Sequence, residues 1–314
     1  MSNTKLKISE YRRGVFPLNP SLALQNNRCA VKDDGSCDFV SLGNFTDKSG
    51  KIGEVSVMQC RHCKHAISLP AIPDIAFLYD NRESQDFQPD SYGLARWIKN
   101  IAFRRQARKL LKQLGITPNK LLDFGCGNGH FTRSIGDLLP YSHVIGSDFF
   151  NDPPKELIGL RYTPITQLAP LEGSFDVVSA MHVLEHDDDV AGLLAHISRM
   201  VERGGRLVIE VPNVDCLWSK LFGRHWDAWY LPYHRSHFSR ASLAQLLEHN
   251  GLEILSIHAI SVPTMGRTFA NIFRSRNNLF WLLLGVSLHP AQWLGEKLTG
   301  RSSAIRIISK KKHY

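Results

Sequence analysis

The stretch Leu121 to Phe131, LLDFGCGNGHF, constrains this chain more than any other part of it. A short apolar run ends in Asp123, and glycines then occupy every second position at Gly125, Gly127 and Gly129. Glycines so closely spaced after a strand build a tight turn whose backbone can approach a ligand with no side chain in the way. The pattern G-x-G-x-G departs from the dinucleotide fingerprint G-x-G-x-x-G, and the acid stands two residues before the first glycine. The segment reads as a cofactor loop joining a strand to a helix.

Around the loop the chain alternates strand and helix patterns in the manner of a doubly wound sheet. Strands are expected at 120–124, 141–147, 175–180, 205–211, 252–262 and 304–309, and helices over 131–139, 188–201 and 240–250. Upstream, Leu94, Trp97, Ile98, Ile101, Leu110, Leu111 and Leu114 recur at a helical period, while Lys and Arg fill the opposite positions with no acid among them. That basic side is either a solvated face or a surface turned to anions or a membrane. At 314 residues and 43% hydrophobic content, the chain has material for one full α/β domain and a small appendage.

The run D-F-G-C-G-N-G resembles motif I of the class I S-adenosylmethionine-dependent methyltransferases. The resemblance implies a Rossmann-like doubly wound α/β sheet with an antiparallel last strand, and S-adenosyl-L-methionine as cofactor. It places Asp123, Phe124, Gly125, Cys126, Gly127 and Gly129 around the methionine end of that cofactor. Asp148, about twenty residues beyond the glycines, would hold both ribose hydroxyls on one carboxylate, with Phe149 beside it. Met181 and His182, at the exit of the fourth strand, would border the cofactor. The family's adenine-side acid is absent; Thr163, Thr166 and Gln167 stand there instead.

The segment SFDVVSAMHVLEH resembles the ubiquinone-type O-methyltransferases, whose E-x-x-E-H run binds a divalent metal. Here the run is H-x-x-E-H, with His182 in place of the first carboxylate. His182, Glu185 and His186 are the candidates for a base if the acceptor must lose a proton. After the fifth strand, Trp218 to Phe238 is dense in aromatics and histidines, which makes it a substrate lid or, as the alternative, a packed subdomain. Its P-x-H-x-x-H-F phrase resembles a signature of small-molecule methyltransferases. His237 is the first choice for a histidine facing the acceptor, His234 the second, and a structural role stands open for both.

Residues 1–73 form a Cys-rich, loop-rich module, and 74–314 the catalytic domain with its insertion at about 212–239. Cys60 and Cys63 make a C-x-x-C, and Cys29 and Cys37 stand upstream. Four thiols in a protein read as cytoplasmic point to zinc before disulfides, although the first pair is C-x7-C rather than a second knuckle. The basic amino-terminal stretch lacks the apolar core of a secretory signal. Leu279 to Leu288 is about half the roughly 20 residues a membrane span requires. That run is read as a buried helix, or as one lying on a membrane beside Arg274, Arg276 and Lys310 to Lys312.

The net charge of +9 favours anionic partners. A nucleic-acid enzyme is disfavoured because no N/D-P-P-Y/F tetrad follows the fourth strand; NDPP at Asn151 to Pro154 follows the second. The other rival is a non-catalytic zinc-dependent binding module with a relict cofactor fold. The expectation is methyl transfer from S-adenosylmethionine to a small-molecule or lipid-linked acceptor, at oxygen.

Overall fold

The computed structural model describes residues 31, 38–47, 50–72, 78, 93–275 and 278–312. In chain order the elements are β1 (Phe39–Thr46), β2 (Glu54–Cys60), β3 (Ala66–Leu69), α1 (Gly93–Leu114), β4 (Lys120–Phe124), α2 (His130–Leu138), β5 (His143–Ser147), β6 (Arg161–Tyr162) and β7 (Phe175–Met181). There follow α3 (Val190–Met200), β8 (Val201–Pro212), α4 (Leu217–Phe222), β9 (Ser236–His237), α5 (Arg240–His249), β10 (Leu252–Ile260), α6 (Met265–Ile272), α7 (Leu279–Thr299) and β11 (Ala304–Lys311).

Seven strands form the main sheet in the order β10-β11-β8-β7-β4-β5-β6. Strands β4 to β8 pair in parallel, and β11 inserts antiparallel between β8 and β10. Successive side chains of a strand point to opposite faces, and the two cores follow that parity. Leu121, Val177, Val208 and Ile308 face one side, where Ala107, Leu110 and Leu114 of α1 and Phe131 and Ile135 of α2 cover them. Leu122, Val178, Ile209 and Ile307 face the other, against Leu193, Leu194 and Ile197 of α3 and Leu243, Leu246 and Leu247 of α5. This is the Rossmann-like arrangement that the alternating pattern implied. Strand β8 begins earlier than its hydrophobic stretch because α3 passes into it at Val201 with no intervening loop.

Two helices depart from their sequence reading. Trp97, counted in the apolar stripe of α1, is 61% exposed. Helix α7 is not buried: its inward positions are Gly285, Gln292 and Glu296, and its apolar residues face outward.

A second sheet of order β1-β2-β3-β9 crosses the expected boundary between amino-terminal module and catalytic domain. Its fourth strand comes from the insertion, with Ala66 opposite His237 and Ile67 opposite Ser236. Between this sheet and the insertion lies a separate core of Phe45, Val55, Val57, Trp226, Trp229 and Leu231. The aromatics expected to form a substrate lid are thus the inside of a packed subdomain, with Trp226 and Phe238 almost wholly enclosed. Arg235 fastens it to the main sheet: the buried guanidinium donates to the carbonyls of Ser68 (2.7 Å) and Pro70 (2.5 Å) and pairs with Asp188 at 3.2 Å.

Gly125, Gly127 and Gly129 all adopt positive φ, at 73°, 56° and 83°. A Cβ at Gly125 would also stand 2.5 Å from Val183 Cγ2. Gly125→Ala should therefore lower stability by about 1–2 kcal/mol from the left-handed backbone alone. Chemical denaturation of the two proteins checks this, and an unchanged midpoint would show that the turn can relax.

Candidate active site

The glycine turn sits at the carboxyl ends of the parallel strands, the usual ligand crevice of an open α/β sheet. Gly125 and Cys126 donate their N–H groups to the Ser147 carbonyl (2.8 and 3.0 Å), which ties the loop to the end of β5. The Asp148 carboxylate accepts from Gly127 N (2.7 Å) and from Phe149 N (2.7 Å). Asp123, under the same loop, accepts from Thr132 Oγ1 (2.6 Å) and Ser179 Oγ (3.0 Å). Burial raises both carboxyls to about 6; in Asp123 the hydroxyl donors oppose that rise and the Asp148 charge adds to it. Each oxygen has two lone pairs, so acceptor capacity remains on both groups.

The other loop residues differ in what they present. Phe124 points into the core, edge-on to His196, and offers the site only its backbone. The Cys126 side chain is buried beneath the loop close to Gly146, where burial raises its thiol well above the ordinary range. Phe149 is 40% exposed beside Asp148. On the expected adenine side, Asp148 O accepts from Ile165 N (3.0 Å), and Thr166 and Gln167 lie on the short 3-10 turn that follows.

Met181 ends β7, and His182 follows in a left-handed conformation, φ 58°. His182 Nδ1 faces Glu185 Oε1 at 3.1 Å and Nε2 faces Glu210 Oε1 at 3.3 Å. Desolvation works against the charged ring, but the two carboxylates outweigh it and raise its pKa to about 10. At neutral pH His182 is an imidazolium with both protons committed, which removes it from the candidate bases.

Glu210, near the carboxyl end of β8, accepts from Arg306 Nε of β11 at 2.7 Å, and Gln113 of α1 accepts from the same guanidinium at 2.8 Å. Neither Glu210 nor Arg306 was expected as part of the site. Their signal was a single charge in each of two apolar strands, in LVIEVP and AIRIIS.

The three histidines proposed for the acceptor side separate here. His237 is buried against Trp229, with Nε2 2.9 Å from Ser68 Oγ, and burial lowers it to about 3. It belongs as much to the small sheet as to any site. His234 Nδ1 lies 2.8 Å from the Ala228 carbonyl, a contact only an N–H can make, so the lone pair of the neutral ring is on Nε2. Burial, with the neighbouring histidines, holds His234 well below its usual range, so the ring is neutral at pH 7. His186 Nδ1 lies 3.2 Å from the Tyr233 carbonyl, and its ring meets His234 edge-on at 4.7 Å. Ligand atoms of Glu185, His186 and His234 all fall within 4.8 Å of one another. The Glu185 Oε2 atom is buried, with no hydrogen-bond partner among the described residues. Glu185, Pro212, Val214, His234 and His237 line a cleft beside the group that is too tight in this conformation to hold a water molecule.

Of the four cysteines read as metal ligands, Cys29 and Cys37 lie outside the described residues. Cys60 and Cys63 are buried in the turn after β2, where the amides of His62 and Cys63 approach the Cys60 thiol. Ser239, the residue capping α5, donates to the Cys63 carbonyl at 2.7 Å and so couples the turn to the main domain.

Fold and crevice together define a Rossmann-like α/β domain with a glycine turn and two buried carboxylates, Asp123 and Asp148, at the carboxyl ends of its parallel strands. The family model described as a methyltransferase domain matches residues 95–257, more than half of the chain, and the chain belongs to that family. The ubiquinone biosynthesis O-methyltransferase of Rhodopseudomonas palustris (strain BisB18) is 32% identical over 125 residues, 37% of this chain and 49% of that protein. Its counterpart in Burkholderia vietnamiensis is 29% identical over 169 residues, 48% of this chain and 72% of that one. The chain spans about half the length of most of the curated relatives it matches. Among solved structures, 1,6-didemethyltoxoflavin-N1-methyltransferase of Burkholderia thailandensis aligns with a TM-score of 0.48 at 19% identity, over 80% of this chain and 96% of the other.

The buried Glu210–Arg306 pair supports a direct test. Glu210→Gln leaves an uncompensated guanidinium and should cost about 3–5 kcal/mol, whereas Glu210→Gln combined with Arg306→Met should recover much of that loss. Urea denaturation of the single and double variants measures both, and purely additive losses would contradict the coupling.

Proposed function

We propose that this chain is an S-adenosylmethionine-dependent methyltransferase acting at oxygen on a small-molecule or lipid-linked acceptor. The observation that carries the reading is the donor set of the glycine crevice. Two buried carboxylates, Asp123 and Asp148, flank a turn with no Lys or Arg between 123 and 130. Such a set repels a pyrophosphate and suits a ligand with an ammonium group, a sulfonium and a neutral diol. Asp148 would take the ribose hydroxyls, Asp123 the ammonium, and the bare glycine backbone would let the cofactor lie close. When bound, S-adenosylmethionine would supply a methyl group on positively charged sulfur; the acceptor oxygen would bond to that methyl carbon from the side opposite the sulfur, which would leave with the electron pair as the neutral thioether.

The chain's own contribution is to align the acceptor, exclude water and take the hydroxyl proton. His234 Nε2, neutral and bordering the cleft, is the proposed proton acceptor, with Glu185 beside it. This reverses the sequence preference for His237, whose ring faces Ser68. His182 would act as a fixed cation that holds Glu185 in place. A second reading rests on the unpartnered Glu185 Oε2: Glu185, His186 and His234 would then hold a divalent cation that acidifies the acceptor hydroxyl. Turnover abolished by a chelator and restored by added metal would select that reading over the first.

Calorimetry with S-adenosylmethionine should show binding, and Asp148→Asn should weaken it by at least about tenfold, the loss of roughly one charged hydrogen-bond interaction. Both carboxyls must be ionised to act as described, and both titrate near 6. Affinity should therefore be full above pH 7 and fall as the pH drops through about 6. No binding at millimolar cofactor would overturn the assignment.

The Cys60–Cys63 turn, with amides directed at a buried thiol, has the form of one half of a thiolate site. We read zinc held by Cys29, Cys37, Cys60 and Cys63. Metal analysis of the purified chain should give about one zinc per chain, lost in the Cys60→Ser, Cys63→Ser variant.

A further inference from the structure

Helices α6 and α7 form a hairpin with an inverted face. They cross at Gly266 and Gly285, so closely that a Cβ at Gly266 would meet the Trp281 carbonyl oxygen at 1.9 Å. Gly295 of α7 packs on Leu217 and Trp218, and the two other buried positions are polar. Gln292 donates to the Val262 carbonyl (2.7 Å), and Glu296 accepts from Trp218 Nε1 (2.7 Å) and from Gln292 (2.7 Å). What α7 turns to solvent is apolar: Phe280 is 63% exposed, Leu283 41%, Val286 39%, Trp293 49% and Leu298 78%, and Phe273 at the hairpin turn is 68% exposed. A 21-residue helix with its glycines and amides inward and its leucines and aromatics outward is not placed to build a core.

The charges around this face have one sign. Of the described charges between 263 and 303, Arg274, Lys297 and Arg301 are exposed, Arg267 pairs with Asp227 at 2.8 Å, and the single acid, Glu296, is buried under α7. Arg274 and Arg301 are exposed at the hairpin turn and just past the end of α7. Two copies packed through the same patch would bring these cations together, whereas anionic headgroups would neutralise them. The face runs along a helix about 31 Å long, and no helix among the described residues is long and apolar enough to cross a membrane.

We propose that the α6–α7 hairpin is the surface by which this protein lies on an anionic lipid bilayer, its apolar side at the headgroup boundary and its cations on the phosphates. The inference is separate from the reaction assigned above, and its test uses neither cofactor nor acceptor. The full chain is floated with vesicles of phosphatidylglycerol and phosphatidylcholine in equal parts. It should rise with these vesicles in low salt and bind several-fold less to phosphatidylcholine alone or in high salt. The Leu283→Asn, Val286→Asn variant should reduce the bound fraction at least about tenfold, since two apolar side chains leave the contact. Because both residues are exposed, its melting temperature should stay near that of the parent. Failure of the parent to float overturns the proposal, as does equal flotation of the variant. A stable dimer in sedimentation that the same variant dissociates would also overturn it, assigning the face to a second copy.

Discussion

The charge line Arg306–Glu210–His182–Glu185 ties strand β11 to the crevice beyond β7. Two of its members are fully enclosed in the central sheet, where an ion costs several kcal/mol to bury unless its partner is fixed. Strand β11 supplies the arginine, β8 the glutamate, and the left-handed residue after β7 the imidazolium. The antiparallel insertion of β11 is thus more than a topological detail, because it brings a cation from the end of the chain to the crevice formed by its middle. Burial disfavours the Glu210 charge, yet Arg306 and His182 hold its pKa below the usual carboxylate range. The result is a site whose first ionised group is set from behind rather than from solvent.

The small sheet imposes a second constraint. Since β9 lies in the insertion and pairs with β3, His234 and His237 are held by the same hydrogen-bond ladder that closes the amino-terminal strands. Arg235 between them reaches into carbonyls of that ladder and to Asp188, which adjoins the Glu185–His186 turn. Cleft geometry therefore depends on residues 39–69, from which Ser68 reaches the His237 ring directly.

Much of this was legible in the sequence wherever local pattern and tertiary environment agree. The strand 120–124 and the helices expected over 188–201 and 240–250 lie close to where the alternating pattern put them, at Lys120–Phe124, Val190–Met200 and Arg240–His249. Position in space was harder to read. A single charged residue in a strand does not announce its partner, and the Glu210–Arg306 pair follows only from the adjacency of β8 and β11. An aromatic-rich segment reads alike whether it lines a lid or fills a core, and only the pairing of β9 with β3 decides for the core. Helix α7 misled for the opposite reason: composition reports how apolar a helix is, and not whether glycine and glutamine have taken the inward side.

The order in which the ribosome delivers these strands adds one more consequence to the β3–β9 pairing. Strand β3 ends at Leu69 and its partner begins only at Ser236. At about 5–20 residues per second, β3 spends roughly 10–30 s outside the ribosome with one edge open. Until Ser236 and His237 arrive, three short strands must persist as an exposed half-sheet with Val55 and Val57 uncovered by Trp226 and Trp229. During biosynthesis that edge is a natural place for a chaperone to bind and for aggregation to begin, in a protein whose finished form hides it completely.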